Sequence, residues 1–246
     1  MPYAPLKRVG LARALSKLGF CSRGQAVQLI RAGKVRVNGV VRRDTETPVR
    51  LGKDRIEVDG EQLNATAKIY LVLNKPRGIV TTASDEKGRD TVYSLLGAEL
   101  PWVAPVGRLD KASEGLLLLT NDSGWGARVT APETHLDKTY HVQIGRIADV
   151  ALLETLKNGI RTKEGDTLRV KEASPLRQGE RNSWLEIILD EGRNRHVRRM
   201  LESLNIEVLR LIRVAIGPLA LGDLAKGAVR PLTSGEKLAL DRTMHL

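Results

Sequence analysis

Residues 107–120 read GRLDKASEGLLLLT, and this stretch guides the interpretation of the chain around it. Its first half is polar and is bounded by Gly107 and Gly115, which is typical of a loop. The run of four leucines at 116–119 predicts a short buried strand. Charged side chains therefore lie at the end of a buried element, where a rigid framework can position them for catalysis.

Short strands and helices are predicted on both sides of this stretch. Apolar runs or alternating patterns predict strands at 69–73, 138–144, 184–189 and 208–214. Helical spacing is found at 125–130, at 148–156 and from Asn194, and a capping box at Thr233 and Glu236 predicts a terminal helix. Since the elements do not form a regular βαβ repeat, we predict an α+β fold with a mixed, largely antiparallel sheet.

The first 60 residues differ from the rest of the chain in charge. The whole chain carries 40 Lys or Arg against 29 Asp or Glu, a net charge of +11. Residues 1–60 contain 13 of these basic groups and five of the acidic ones, which gives +8. This asymmetry predicts a basic module at 1–60 that binds a polyanion, a polar linker at 61–68 and a nearly neutral body at 69–246.

Two helices and a hairpin are predicted in the basic module. Leu11, Leu15 and Leu18 share one helical face, and a capping box at Ser22 and Gln25 begins a second helix that runs to about Ala32. Val35 and Val37 then alternate before an Asn-Gly hairpin turn. Basic side chains around these elements are candidates for contacts with RNA phosphates: Arg23, Arg31, Lys34 and Arg36.

The basic module also resembles a known RNA-binding domain. Residues 19–39 read GFCSRGQAVQLIRAGKVRVNG, and the stretch 9–60 as a whole resembles the S4 domain. A structural alternative is a helical hairpin that only packs against the body.

Composition excludes several classes of protein. The single cysteine, Cys21, excludes an internal disulfide framework and is interpreted as a packed side chain, and four scattered histidines make a zinc site unexpected. The sequence has no GxxxxGKS loop, no apolar run of transmembrane length and no signal peptide at its first residues. We therefore expect a soluble, cytoplasmic protein without a metal.

Asp110 is the candidate reactive group, and the residues alone leave its role open. Its neighbours Arg108 and Lys111 favour an ionised carboxylate that acts as a nucleophile or a base. Asp110 and Glu114 are alternatively a glycosidase-like acid and base. The third interpretation is a surface ion pair in a turn.

Longer motifs resemble one enzyme family along nearly the whole chain. Three motifs follow the S4-like module in the chain: GRLDKASEGLLLLTND, DKTYHV and EGRNRHVRRM. Together they resemble the bacterial rRNA pseudouridine synthases of the group that comprises synthase A for small-subunit RNA and synthase B for large-subunit RNA. The resemblance also includes LNKPRGIVTT at 73–82 and the stretch 211–233.

The resemblance implies a set of site residues. It assigns Asp110 as the catalytic aspartate, Tyr140 as the tyrosine against the target base, and Arg198 as the basic partner of the aspartate. Arg108, Arg193 and Arg195 are expected to contact RNA, and His196 is interpreted as a helix-surface or RNA-facing residue.

The implied reaction isomerises a uridine of ribosomal RNA, with large-subunit RNA preferred over small-subunit RNA. It conserves atoms and electrons, so no cofactor is expected. The target uridine has to leave the base stack. The expected partner is ribosomal RNA or a pre-ribosomal particle, and the protein is expected to be a monomer that does not bind membranes. A non-catalytic RNA-binding protein with the same fold is the alternative.

Overall fold

The computed structural model describes residues 8–64, 66–83, 85–97 and 99–246. Two units are distinguished within this part of the chain. The first consists of the described residues of 1–70, 97–104 and 120–123, and the second consists of those of 71–96, 105–119 and 124–246.

The first unit contains two helices and a small sheet. Its elements are β1 (Val9–Gly10), α1 (Leu11–Lys17), α2 (Arg23–Arg31), β2 (Val35–Val37), β3 (Val40–Val41), β4 (Pro48–Val49), β5 (Ile56–Val58) and β6 (Glu61–Gln62). The sheet order is β3-β2-β5-β6, and β1 pairs with β4. β6 therefore extends the sheet into the first two residues of the segment that the sequence predicts as a linker.

The buried side chains of this unit follow the predicted pattern. Leu11, Leu15, Ile30, Val35 and Val37 all belong to its core. Cys21 is buried in the same core, as predicted. The Ser22 hydroxyl accepts a hydrogen bond from the Gln25 backbone N–H while the Gln25 side chain accepts one from the Ser22 N–H, so the predicted capping box is confirmed.

The second unit is built on a mixed sheet. Apart from the terminal residues Tyr70, Ala104, Thr120 and Ser123, which are counted with the first unit, its elements are β7 (Tyr70–Lys75), β8 (Ala104–Val106), β9 (Glu114–Thr120), α3 (Ser123–Thr130), β10 (Lys138–Ile144), α4 (Val150–Asn158), β11 (Ile160–Arg161), β12 (Thr167–Leu168), β13 (Glu172–Gln178), β14 (Ser183–Leu189), α5 (His196–Ser203), β15 (Val208–Ile216), β16 (Leu219–Ala220), β17 (Val229–Pro231) and α6 (Ser234–Thr243). Short 3₁₀ helices cover Val92–Leu95 and Pro132–Thr134. The predicted α+β class is confirmed.

The strand order of this sheet determines which residues meet at the site. The order is β13-β14-β10-β15-β9-β7-β17, with β16 beside β15 and β8 beside β9. β15 is antiparallel to β10 but parallel to β9. The late strand β15 therefore lies between the strand that follows Asp110 and the strand that carries Tyr140.

The helices α4 and α5 cover one face of the sheet. Leu156 of α4 and Met200 of α5 are buried with Val142, Leu185 and Leu211 from the three strands β10, β14 and β15. The second predicted capping box, between Thr233 and Glu236 at the start of α6, is confirmed. Within the described residues, no helix is both long and apolar enough to cross a membrane.

Candidate active site

An open cavity of about 190 Å³ lies at the end of the loop between β8 and β9. Asp110 is half-buried on this loop, and Tyr140 is half-buried on β10. The residues around the cavity are Val106, Gly107, Arg108, Leu109, Asp110, Ser113, Val129, Thr130, Lys138, Tyr140, Leu189, Gly192, Arg193, His196, Val197, Arg213 and Ile216. The structure therefore brings together four of the predicted site residues: Asp110, Tyr140, Arg108 and Arg193.

The backbone of the Asp110 loop is fixed by hydrogen-bond donors from other parts of the second unit. The Lys75 ammonium donates to the carbonyl oxygens of Asp110 and Ser113, at 3.2 and 2.9 Å. The Thr81 hydroxyl donates to the Leu109 carbonyl at 2.8 Å, and the Gly78 N–H donates to that of Lys111 at 2.8 Å.

Arg198 completes this set of contacts. Its Nη2 donates to the Ala112 carbonyl at 3.0 Å, so each carbonyl oxygen from residue 109 to residue 113 accepts a hydrogen bond. A loop held at five consecutive carbonyl oxygens loses little further entropy when substrate binds.

Gly115 allows the loop to join the sheet. Its φ is +101°, a backbone conformation that favours glycine. It pairs with Arg213 in the parallel contact between β9 and β15, and a Cβ on Gly115 would collide with the Arg213 backbone. The glycine after the loop is thus required for the close approach of these two strands.

Lys75 is a site residue that the sequence analysis missed. It is fully buried at the end of β7, and its ammonium also donates to the Pro76 carbonyl at 3.0 Å. Burial lowers the pKa of Lys75 to about 8, although the charges of Asp110 and Glu114 oppose this shift. The signal in the sequence is a lysine at the end of an apolar strand and directly before a proline, in LNKP.

The four arginines of the segment 191–199 have different partners. Arg193 pairs with Glu191, Arg195 with Glu202, and Arg199 with Glu164 and Asp166. Arg195 is exposed and is not among the cavity-lining residues.

Arg198 differs from these three arginines. It is 8% exposed, and among the described residues no carboxylate lies at ion-pairing distance from it. Burial lowers the pKa of Arg198 and the charge of Arg195 lowers it further, whereas the Asp110 carboxylate acts in the opposite direction. Arg198 is therefore a buried arginine that holds the Asp110 loop at Ala112, and the Asp110 carboxylate acts to raise its pKa.

The structure corrects two interpretations of the segment around α5. The helix begins at His196, not at Asn194, because Arg195 precedes it with a φ of +50°. His196 is 3% exposed and lines the cavity, so its interpretation as a helix-surface residue is wrong, and its alternative interpretation as an RNA-facing residue stays a prediction. Burial lowers the pKa of His196, and the nearby Glu191 carboxylate opposes that shift.

Glu114 does not share the cavity with Asp110. Its buried carboxylate accepts hydrogen bonds from Arg210 at 3.1 Å and lies 2.7 Å from the Lys226 ammonium. Burial raises the pKa of Glu114, but these two cations hold it below its usual value. A carboxylate that is ionised and paired in this way is a poor general acid, which argues against the glycosidase-like pair.

The four basic candidates of the first unit are all exposed. Arg23 and Arg31 are the first and last residues of α2. Lys34 lies 3.3 Å from Asp59, and Arg36 donates to the Gly39 carbonyl at 3.4 Å. Exposed cations of this kind remain available to phosphates.

The chain belongs to a family of RNA-modifying enzymes, because the RNA pseudouridylate synthase family matches residues 69–203, which include the Asp110 loop and Tyr140. The S4 domain matches residues 9–61. The protein is therefore a pseudouridine synthase, an isomerase, with an N-terminal S4 domain, and the resemblance stated from the sequence is confirmed.

Similar proteins cover almost the whole chain. Ribosomal large subunit pseudouridine synthase B of Bacillus subtilis is 39% identical over 92% of this chain and 93% of its own length. An RNA pseudouridine synthase of Aquifex aeolicus is 37% identical over 98% of this chain and 97% of its own length. A crystal structure described as a pseudouridylate synthase matches with a TM-score of 0.65 and 30% identity over 94% of this chain and 99% of its own.

Proposed function

We propose that the protein converts a specific uridine of ribosomal RNA to pseudouridine, and that this uridine lies in the large-subunit RNA. The Bacillus subtilis relative carries the large subunit in its name and covers 92% of the chain. We place an S4-like domain at 1–60, a linker at 61–68 and the catalytic domain at 69–246. Arg23, Arg31, Lys34 and Arg36 of the first unit neutralise RNA phosphates.

One observation carries the catalytic proposal: Asp110 and Tyr140 face the same cavity, and the loop of Asp110 is fixed at five carbonyl oxygens. Asp110 acts on the ribose of the target nucleotide, as a nucleophile or as a base. Both routes lead to cleavage of the N1–C1′ bond.

The other site residues orient the reacting groups. Tyr140 stacks on the uracil after the nucleotide has left the helix stack. Arg198 keeps the Asp110 loop in place and balances the carboxylate charge. Arg108 and Arg193 are exposed at the cavity and hold the opened RNA, and Arg195 contacts RNA beside them.

The experiment maps pseudouridines in unmodified ribosomal RNA transcripts incubated with the wild-type protein or with Asp110→Asn. We expect one new pseudouridine in the large-subunit RNA with the wild type. With the variant we expect at least a ~10³-fold slower reaction, because the reactive carboxylate is lost.

RNA binding is measured in parallel as the control, and Asp110→Asn is expected to bind as the wild type does. Turnover by this variant at the wild-type rate would refute the role of Asp110. Modification of small-subunit RNA alone would refute the choice of substrate.

A further inference from the structure

Arg213 is a buried cation that the proposed mechanism does not use. It lies on β15 opposite Tyr140, is 6% exposed, and lines the same cavity as Asp110. Its Nε donates to the Leu116 carbonyl at 2.8 Å. Its Nη2 is buried, and within the described residues it has no hydrogen-bond partner.

Lys138 places a second cation at the same cavity. It precedes Tyr140 by two residues on β10 and is 9% exposed. Burial lowers the pKa of Lys138, and the positive charge of Arg213 lowers it further, while Asp137 and Asp190 oppose the shift. The side chain of Asp137 pairs with Lys171, at 2.7 Å.

A buried guanidinium with an unused donor costs free energy. Removing a charged donor from water without a partner costs several kcal/mol, unless an acceptor compensates for the lost hydration. Because Arg213 lines the cavity that holds Asp110, a small shift of its side chain can bring this unused donor to an acceptor on the bound nucleotide. The chemistry of that acceptor follows from the reaction.

The isomerisation creates negative charge on the pyrimidine. When the N1–C1′ bond breaks, its electron pair remains on uracil and spreads over N1, O2 and O4. C5 then bonds to C1′, the C5 proton leaves, and N1 takes up a proton, so atoms and electrons balance without an oxidant or reductant. Charge on the carbonyl oxygens is therefore greatest between bond cleavage and bond formation.

We propose that Arg213 is a further catalytic residue that donates a hydrogen bond to a carbonyl oxygen of the flipped uracil and stabilises the charge on the detached base. Lys138 adds positive potential at the same place. Donors that are already oriented towards developing charge contribute most in the transition state. This role rests on the proposed function, since it requires a uridine in the cavity.

The test is a chemical double-mutant cycle on Arg213. The protein variants are wild type, Arg213→Met and Arg213→Lys. The substrates are fragments of ribosomal RNA that carry the mapped target as uridine, 2-thiouridine or 4-thiouridine. Single-turnover rates and RNA affinities are measured for every pair, because sulfur is a weaker acceptor than oxygen and removes one partner of the proposed bond.

Arg210→Met is the matched control on the same strand. The Arg210 guanidinium pairs with Glu114 and lies 5.5 Å from the centre of the Trp184 ring, and it does not line the cavity. Its removal is expected to leave the effect of each thio substitution as in the wild type. Thermal melting of all variants separates loss of folding from loss of rate.

We expect Arg213→Met to lower the single-turnover rate on uridine by about 10²-fold while affinity changes little. One of the two thio substrates should slow the wild type and Arg213→Lys but have no further effect on Arg213→Met. Equal thio effects in wild type and Arg213→Met would overturn the contact. An inactive wild-type protein would overturn the proposed function together with it.

Discussion

Exposed arginines of the first unit contrast with two buried arginines of the second. Arg31 and Arg36 of the first unit are exposed, whereas Arg198 and Arg213 of the second are more than nine-tenths buried. Exposed cations bind phosphates through a screened, salt-dependent interaction. Buried cations are screened little and hold neighbouring groups in fixed positions. The same residue type is thus expected to control affinity in one unit and the chemical step in the other.

Among the arginines, the largest expected effect comes from Arg198, and its removal tests the role of the buried cations. Arg198→Met takes away the donor to the Ala112 carbonyl and the charge that Asp110 balances. We expect a single-turnover rate about 10²- to 10³-fold lower with RNA affinity nearly unchanged, because the reactive loop loses its orientation.

Arg199→Met on the same helix is the control for that experiment. Arg199 pairs with Glu164 and Asp166, away from the cavity lining. The rate of this variant is expected to stay close to that of the wild type. Equal losses of rate in the two variants would show that any arginine of α5 supports the site by folding alone.

A second prediction concerns the stability of the fold, to which the buried cation Lys75 contributes. Lys75→Met leaves the carbonyl oxygens of Pro76, Asp110 and Ser113 without this donor. The free energy of unfolding should fall by about 3 kcal/mol, measured by urea denaturation. Lys157→Met, which removes an exposed pair with Glu154, should cost less than about 1 kcal/mol.

The pH dependence of stability gives a third way to examine Lys75. Its pKa is about 8 in the folded protein and 10.5 as the ordinary value, so between these pH values the unfolded chain binds more protons. The contribution of Lys75 to the free energy of unfolding therefore rises with pH in this window. Below pH 8 the buried ammonium is charged and lowers the free energy of unfolding by its full amount. The difference in unfolding free energy between wild type and Lys75→Met should increase from pH 8 to pH 10.5. A constant difference would contradict the lowered pKa of Lys75.

The smallest effect is expected from the exposed cations. Replacing Arg23 and Arg31 by glutamine should weaken RNA binding and lower the slope of log K against log salt by up to about 1.5. The rate on fully bound RNA should not change. Arg161→Gln with Arg242→Gln, two exposed arginines of the second unit, is the control, and an equal change in its slope would break the proposed contrast.

Features that depend on a few neighbouring residues were predictable from the sequence. Both capping boxes, at Ser22 and at Thr233, follow from residues three positions apart. The strands β10 and β14 follow from alternating or apolar runs of seven residues or fewer.

The missed features depend on contacts between distant parts of the chain. The role of Lys75 requires the carbonyl oxygens of a loop 35 to 38 residues away. His196 is buried at the first position of a helix that begins after Arg195, whose left-handed conformation the sequence pattern does not indicate. Arg213 is the same residue type as Arg210, which lies on the same strand and is partly exposed. The burial of Arg213 beside the cavity depends on the pairing of β15 with β9, which the sequence pattern does not indicate.

The position of β15 also determines when the enzyme becomes active during its synthesis. Asp110 precedes β9 and Tyr140 lies on β10, and the strand between them consists of residues 208–216. A growing chain that has passed Tyr140 still lacks the element that sets the spacing of the two groups. Because residues 208–216 are synthesised after Asp110, Tyr140 and the S4 domain, the site is assembled only after this strand has also left the ribosome.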